Sequence, residues 1–112
     1  MTPEALNAYG ANTIEGMKRC LNDEPFYLDM VGMTLKDKNF DALKAAMDAE
    51  DTRAAFAAAH SLKGTIGNVG LTPIYEPLCA LTELLRGKDG PVSGGEELLK
   101  RIMAQREKAL SL

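Results

Sequence analysis

Apolar residues in this chain recur at intervals of three and four between breaks made by Pro, Gly and Asp, and nowhere do they alternate at a period of two. That rhythm puts the apolar side chains on one stripe of a helix, and a strand needs the other period. The breaks divide the chain. Thr2-Pro3-Glu4 supplies an N-cap, an N1 proline and a first-turn acid, and the helix it opens over 3–9 stops near Gly10. Thr13 begins a second piece over 13–21 through Ile14, Met17 and Leu21. Asp23-Glu24-Pro25 restarts the chain, and Leu28, Val31, Leu35, Leu43 and Met47 carry helical spacing over about 24–49. The polar patch Asp37-Lys38-Asn39 leaves open whether that stretch is one helix or two. Asp51 or its neighbour caps a helix over 51–67. Thr72-Pro73 opens 72–86 with Ile74, Leu78, Leu81 and Leu85. The Gly-rich stretch 87–95 is the one strong loop, and Leu98, Leu99, Ile102 and Met103 form the apolar face of 95–109. Short connections between amphipathic helices make neighbours antiparallel. The expected fold is therefore all-α: an up-and-down antiparallel four-helix bundle of 24–49, 51–67, 72–86 and 95–109, with 3–9 and 13–21 as short additional N-terminal helices.

With 112 residues and 46% hydrophobic content, the chain is expected to be one domain over 1–112 with a single modest core. A net charge of −3 with no basic block argues against nucleic acid as the main partner. No apolar run approaches the roughly 18 residues of a membrane span, and the start lacks the pattern of a signal peptide. Cys20 and Cys79 are too few and too distant for a metal or disulfide framework; read as reduced thiols, they fit a cytoplasmic location.

The single histidine, His60, stands in the helix over 51–67. At about 100° per residue, Ala55, Ala59, Leu62, Ile66 and Val69 form the buried stripe, and His60 lies roughly 130° from its centre. Arg53, Ala57, Lys63, Gly64 and Gly67 share the imidazole's face, with Phe56 at its edge. A lone helix histidine is more often packing material, but this one points outward among small residues and cations. Two glycines within two turns cost the helix roughly 1 kcal/mol each relative to alanine. With no packing reason visible in the sequence, they suggest that something large approaches the imidazole. Folding two antiparallel helices about residue 71 sets Thr82 level with His60 and Arg86 a turn beyond. Thr82 is then either a hydrogen-bond partner that fixes the imidazole's tautomer or an ordinary helix-surface threonine.

Most catalytic chemistries fall away. Ser61 points about 100° from His60, and Cys79 lacks the surroundings of a catalytic thiol. One histidine cannot assemble a metal or haem site. Gly87-Lys88-Asp89-Gly90 lacks the spacing of a phosphate-binding loop. Covalent chemistry on an exposed imidazole remains: a phosphoryl group on a ring nitrogen adds negative charge, and Lys63 one turn away offsets it through a charge-assisted hydrogen bond.

Ala59-His60-Ser61-Leu62-Lys63-Gly64, followed by Gly67 and Gly70, closely resembles the signature of histidine-containing phosphotransfer domains. The resemblance covers most of the chain. Leu21 to Leu28 resembles the segment before the family's first bundle helix. Phe40-Asp41-Ala42-Leu43 and 51–56 resemble its approach to the histidine, and Leu71-Thr72-Pro73-Ile74-Tyr75 resembles the start of its third bundle helix. The resemblance implies a cytoplasmic phosphocarrier in a multistep two-component phosphorelay, without kinase activity of its own. His60 would accept a phosphoryl group through its outer ring nitrogen from an aspartyl phosphate on a receiver domain, and pass it to another receiver. Lys63 matches the lysine that supports phosphoryl binding. Gly64 matches the small residue that lets a receiver approach, and Gly67, Arg53, Phe56 and Ala57 are candidate partner contacts on that face. Thr82 stands where some members place Gln or Glu beside the histidine, a departure from the pattern. Arg86 stands where some members place a basic residue for phosphoryl or receiver contact. The chain would carry no cofactor or metal of its own, with Mg²⁺ on the partner receiver, and would be a monomer. Two other readings stay open: the histidine phosphoacceptor domain of a chemotaxis-type kinase, and a non-catalytic receiver-binding helical bundle. The absence of a basic or proline-rich linker before Leu112 favours a free-standing carrier, and the presence of both His60 and Lys63 weighs against the binding-only reading.

Overall fold

The computed structural model describes residues 1–112 and is all-helical, with 74% of residues in helix and no strand. Seven helices follow one another: α1 (Pro3–Tyr9), α2 (Thr13–Arg19), α3 (Glu24–Leu35), α4 (Asn39–Asp48), α5 (Thr52–Asn68), α6 (Thr72–Leu85) and α7 (Gly95–Leu110). The starts of α1, α2, α3 and α5 obey capping chemistry, in which a side-chain oxygen accepts one of the orphan N–H groups of the first turn. Thr2 Oγ1 accepts from Ala5 N at 3.0 Å, Asn12 Oδ1 from Glu15 N at 3.2 Å, Asp23 Oδ1 from Phe26 N at 3.1 Å and Asp51 Oδ1 from Ala54 N at 3.2 Å. The cap of α2 is thus Asn12, one residue before the expected start at Thr13.

The stretch 24–49 is two helices. α3 ends at Leu35, and Asp37 Oδ1 accepts the N–H of Asn39 at 2.8 Å to start α4. A residue of α7 bolts the break. Arg106 Nε donates to the Leu35 carbonyl at 2.7 Å, while its guanidinium lies 4.6 Å from the centroid of the Phe40 ring. One side chain therefore satisfies an end carbonyl of α3 and covers the first turn of α4.

Packing follows chain order. α4 lies against α5, α5 against α6 and α6 against α7, and α7 returns to touch both α3 and α4. Cross-contacts fix the directions. Asn39 Nδ2 reaches Ser61 Oγ at 3.2 Å, and the Tyr27 hydroxyl donates to the Val69 carbonyl at 3.1 Å, so α3 and α4 together run the length of α5 in the opposite sense. One continuous cluster of 22 buried apolar residues fills the interior. It contains the whole expected stripe of α5, and Ile74, Leu78, Leu81 and Leu85 of α6.

The N-terminal pieces depart further from expectation. Ile14 and Leu21 are 79% and 85% exposed. α2 ends at Arg19, so Leu21 lies beyond the helix with φ 59°, off the line of the stripe. α2 instead packs through Gly16, where an added Cβ would come within 2.6 Å of the Val69 carbonyl oxygen. The segment is tied down by Asn12 N donating to the Gly70 carbonyl at 2.7 Å, and by the Tyr9 hydroxyl donating to the Gln105 carbonyl at 2.9 Å. Gly70 has φ +74°, and a Cβ there would collide with the Asn12 carbonyl oxygen. The turn between α5 and α6 thus requires glycine twice over, for its backbone conformation and for the close passage of the α1–α2 link.

Candidate functional site

α5 carries the histidine away from the core. Ala59 and Leu62 on either side of it are buried, whereas His60 and Ser61 are exposed. The imidazole opens into a groove of ≈ 490 Å³, lined on α5 by His60, Lys63, Gly64 and Gly67. α6 contributes Thr72 and Tyr75, and α2 together with its cap contributes Asn12, Glu15 and Arg19. The residue is exposed, and no other protein group hydrogen-bonds either ring nitrogen.

Lys63 follows His60 by one turn, about 4.5 Å along the axis. It belongs to none of the four ion pairs of the molecule, which join Lys44 to Asp48, Arg53 to Asp89, Arg86 to Glu83 and Lys100 to Glu97. Its ammonium is therefore available to an incoming anion. Glu83 of α6 feels that charge. A hydrogen bond from Arg86, the Arg86 charge and then the charge of Lys63 hold its carboxyl below the ordinary value of 4.5.

The two glycines of the histidine face have different causes. A Cβ at Gly64 would meet nothing within 4 Å, so this position leaves the surface beside the imidazole flat and open. A Cβ at Gly67 would come within 2.7 Å of Tyr75 Cε1. Gly67 is small because the Tyr75 ring of α6 packs over it, and its carbonyl accepts from Arg19 Nη1 at 2.9 Å. The sequence-based reading of Gly67 as room for a visitor is corrected: a neighbour within the chain already fills the space.

Thr82 is corrected as well. Its level is right, since Arg86 of α6 reaches the Phe56 ring of α5 four residues before His60. Its azimuth is not. Thr82 belongs to the buried stripe, is 0% exposed, and donates its hydroxyl to the Leu78 carbonyl at 2.7 Å, the back-bond typical of a helical threonine. It neither reaches nor orients the imidazole. The residues of α6 that flank the histidine side are Tyr75, Glu83 and Arg86.

The remaining candidates divide. Phe56 is half-buried with its ring stacked on that of His60. Arg86 is exposed, covers Phe56 and pairs with Glu83. Ala57 is exposed but lies outside the groove. Arg53 stands two turns before His60 and pairs with Asp89 of the 86–94 connection at 2.6 Å, while Thr52 Oγ1 donates to the Gly90 carbonyl at 2.7 Å. Arg53 thus pins a loop at the far end of α5. Both cysteines are free, and no cluster of three or more His, Cys, Asp or Glu side chains could hold a metal ion.

Sequence reasoning passed over Arg19, Glu15 and Asn12, which reach the groove from 48 residues or so away in the chain. One signal was present. Gly16 inside a short helix marks a close approach of backbones, and a helix that docks through residue 16 sets 12, 15 and 19 along one flank.

A model of the Hpt domain family matches residues 37–110, from the α3–α4 break to the end of α7, and leaves α1, α2 and α3 outside. The likeness noted for Leu21 to Leu28 falls beyond that match. No curated protein and no solved structure gives a match. The match spans well over half of the chain and encloses His60, Lys63, Gly64 and the helices on either side of them: this chain belongs to the Hpt domain family.

Proposed function

We propose that His60 is the phosphoacceptor of a phosphorelay carrier and that the groove around it is where receiver domains dock. Hpt domains carry out histidine phosphotransfer in phosphorelays and interact with receiver domains, as phosphocarriers and not kinases. The observation that carries the assignment is the juxtaposition of an exposed imidazole that no protein group hydrogen-bonds, an ammonium one turn along that belongs to no ion pair, and an open surface at Gly64.

In the proposed step, the lone pair of the outer ring nitrogen, Nε2, forms the N–P bond as the P–O bond to the receiver's aspartate breaks. The electron pair of that bond stays on the leaving carboxylate, and Nδ1 keeps its proton. Lys63 offsets the charge that arrives on the imidazole. The reverse step hands the group to a second receiver. Mg²⁺ belongs to the receiver's acidic site, and this chain contributes the nucleophile and the cation. The scaffold for this chemistry is an up-and-down antiparallel four-helix bundle within a single domain over 1–112, in which α3 and α4 together make the first arm. The carrier acts as a cytoplasmic monomer; none of its helices is long and apolar enough to cross a membrane.

The test is transfer from phosphorylated receiver domains to the purified protein, with His60→Gln alongside. Acid-labile, base-stable label on the wild type alone supports the assignment. Label that persists in His60→Gln places the acceptor elsewhere. Receivers that bind both proteins without transferring to either would make the bundle a binding partner only.

A further inference from the structure

Behind the histidine, away from the groove, four side chains form a connected row. The rings of Phe56 and His60, one turn apart on α5, lie nearly parallel, with an interplanar angle of 7° and centroids 5.7 Å apart. The Arg86 guanidinium carbon, brought in by α6, lies 5.1 Å from the Phe56 centroid. Arg86 Nη2 in turn meets Glu83 Oε1 at 3.0 Å, and its Nε lies 3.3 Å from the same oxygen. The row runs Glu83, Arg86, Phe56, His60, from one helix to the next.

An imidazole with no hydrogen bond to the protein needs something else to fix its plane. Thr82 cannot supply it, since its hydroxyl is spent on Leu78 inside the core. Side chains at i and i+4 on a helix meet one above the other, so Phe56 is placed to do so. Offset parallel stacking is a favoured arrangement of two aromatic rings and adds to what the buried area alone contributes. It also has a chemical advantage. The lone pair of a ring nitrogen lies in the ring plane, so a contact with the ring's face restrains the imidazole while leaving both nitrogens open. Arg86 holds the Phe56 ring by a cation–π contact, and Glu83 holds Arg86.

We propose that Phe56 is a positioning residue for His60, clamped by Arg86 and Glu83, so that the phosphoacceptor of this chain is oriented by a stacked ring where a hydrogen bond would otherwise be needed. The proposal rests on His60 being the acceptor. It gives Phe56 a role other than contact with a docked receiver, and the two roles separate when the phosphoryl donor is small.

The experiment uses phosphoramidate, which has no docking surface, beside a phosphorylated receiver domain, on the full chain and its Phe56→Leu, Phe56→Tyr and Arg86→Gln variants. With phosphoramidate, ammonia leaves as the N–P bond forms on His60. Phe56→Leu is expected to slow labelling by either donor roughly tenfold, a modest share of what misplacement of a reacting group can cost. The receiver concentration at half-saturation stays unchanged. Phe56→Tyr keeps the stack and the rate, and Arg86→Gln falls between. In proton NMR, the His60 ring protons shift upfield by the Phe56 ring current in the wild type and in Phe56→Tyr, and lose that shift in Phe56→Leu. A normal phosphoramidate rate in Phe56→Leu, with only the half-saturating receiver concentration raised, would overturn the proposal and make Phe56 a docking residue. Absence of the ring-current shift in the wild type would overturn it too. Wild-type protein labelled by phosphoramidate but by no receiver would sink the relay assignment, while the variant rates would still decide the positioning role.

Discussion

Gly64 and Gly67 stand three residues apart on one helix, yet a methyl group at each meets opposite surroundings: open space at Gly64, and the Tyr75 ring at Gly67. The same substitution should therefore change stability in opposite directions. Gly64→Ala gains helix propensity with nothing to displace and should stabilise by up to about 1 kcal/mol. Gly67→Ala must move an aromatic ring between two packed helices and should cost about 1–3 kcal/mol despite the same propensity gain. Urea denaturation of the two variants checks both signs. Larger substitution at Gly64, such as Gly64→Gln, keeps the fold but should block receiver-dependent labelling of His60. Lys63→Ala addresses charge. Because Lys63 has no ion-pair partner to orphan, its loss should leave stability within about 0.5 kcal/mol while slowing transfer roughly tenfold, or about 1.4 kcal/mol. Equal rates in single-turnover transfer would remove that role. At this scale the sequence was informative about which residues face outward on α5, because a helix periodicity follows from the chain alone. It misjudged Gly67 and Thr82, because the fate of each is decided by what α6 presents, Tyr75 over one and the core around the other.

Helix boundaries on α1, α5, α6 and α7 follow from caps and breakers that act within a few residues, which is why they were legible. The α3–α4 break was not, because the local signals at Asp37-Lys38-Asn39 permit either outcome and a residue far away decides. Arg106 donates to the last carbonyl of α3 and covers Phe40 at the start of α4. Arg106→Leu should leave α5 and α6 intact and loosen the break. Losing a hydrogen bond from a charged donor costs about 1.5–3 kcal/mol, and part of that should be read locally. Hydrogen exchange is the measurement: amides near the end of α3 and the start of α4 should exchange faster, with α5 core amides changed only by the global loss. Uniform acceleration across all helices would show that the break has no local stability of its own. The pair Arg86–Glu83 has its own pH window. Since Glu83 titrates below 4.5, the contact is complete at neutral pH and is lost only as acid carries the solution through that lowered value.

Across the whole molecule, the segment before residue 37 is what distinguishes this chain from the part matched by its family. α1 is held to α7 by Tyr9 on Gln105, and the α1–α2 link to the α5–α6 turn by Asn12 on Gly70. Through these ties α2 becomes a wall of the histidine groove and brings Arg19 to it. Burial pushes the Tyr9 phenol up from 10.0 to about 12. Its contribution to stability is thus complete below pH 10 and disappears as the pH rises toward 12, because the unfolded chain ionises first. Thermal denaturation should show a loss over that window that Tyr9→Phe reduces; an unchanged alkaline profile in the variant would place the effect on another group. The sequence by itself determined the helical class, the apolar stripes, the outward position of His60 and its spacing from Lys63, since all of these follow from a fixed rotation per residue and from caps within one turn. Only the tertiary structure decided that Thr82 is core, that Gly67 serves Tyr75, that Arg86 of α6 covers the Phe56 ring, and that α2 closes the groove. Each of those depends on the azimuth at which a second helix docks, and that is set by the packing of side chains that local periodicity does not relate.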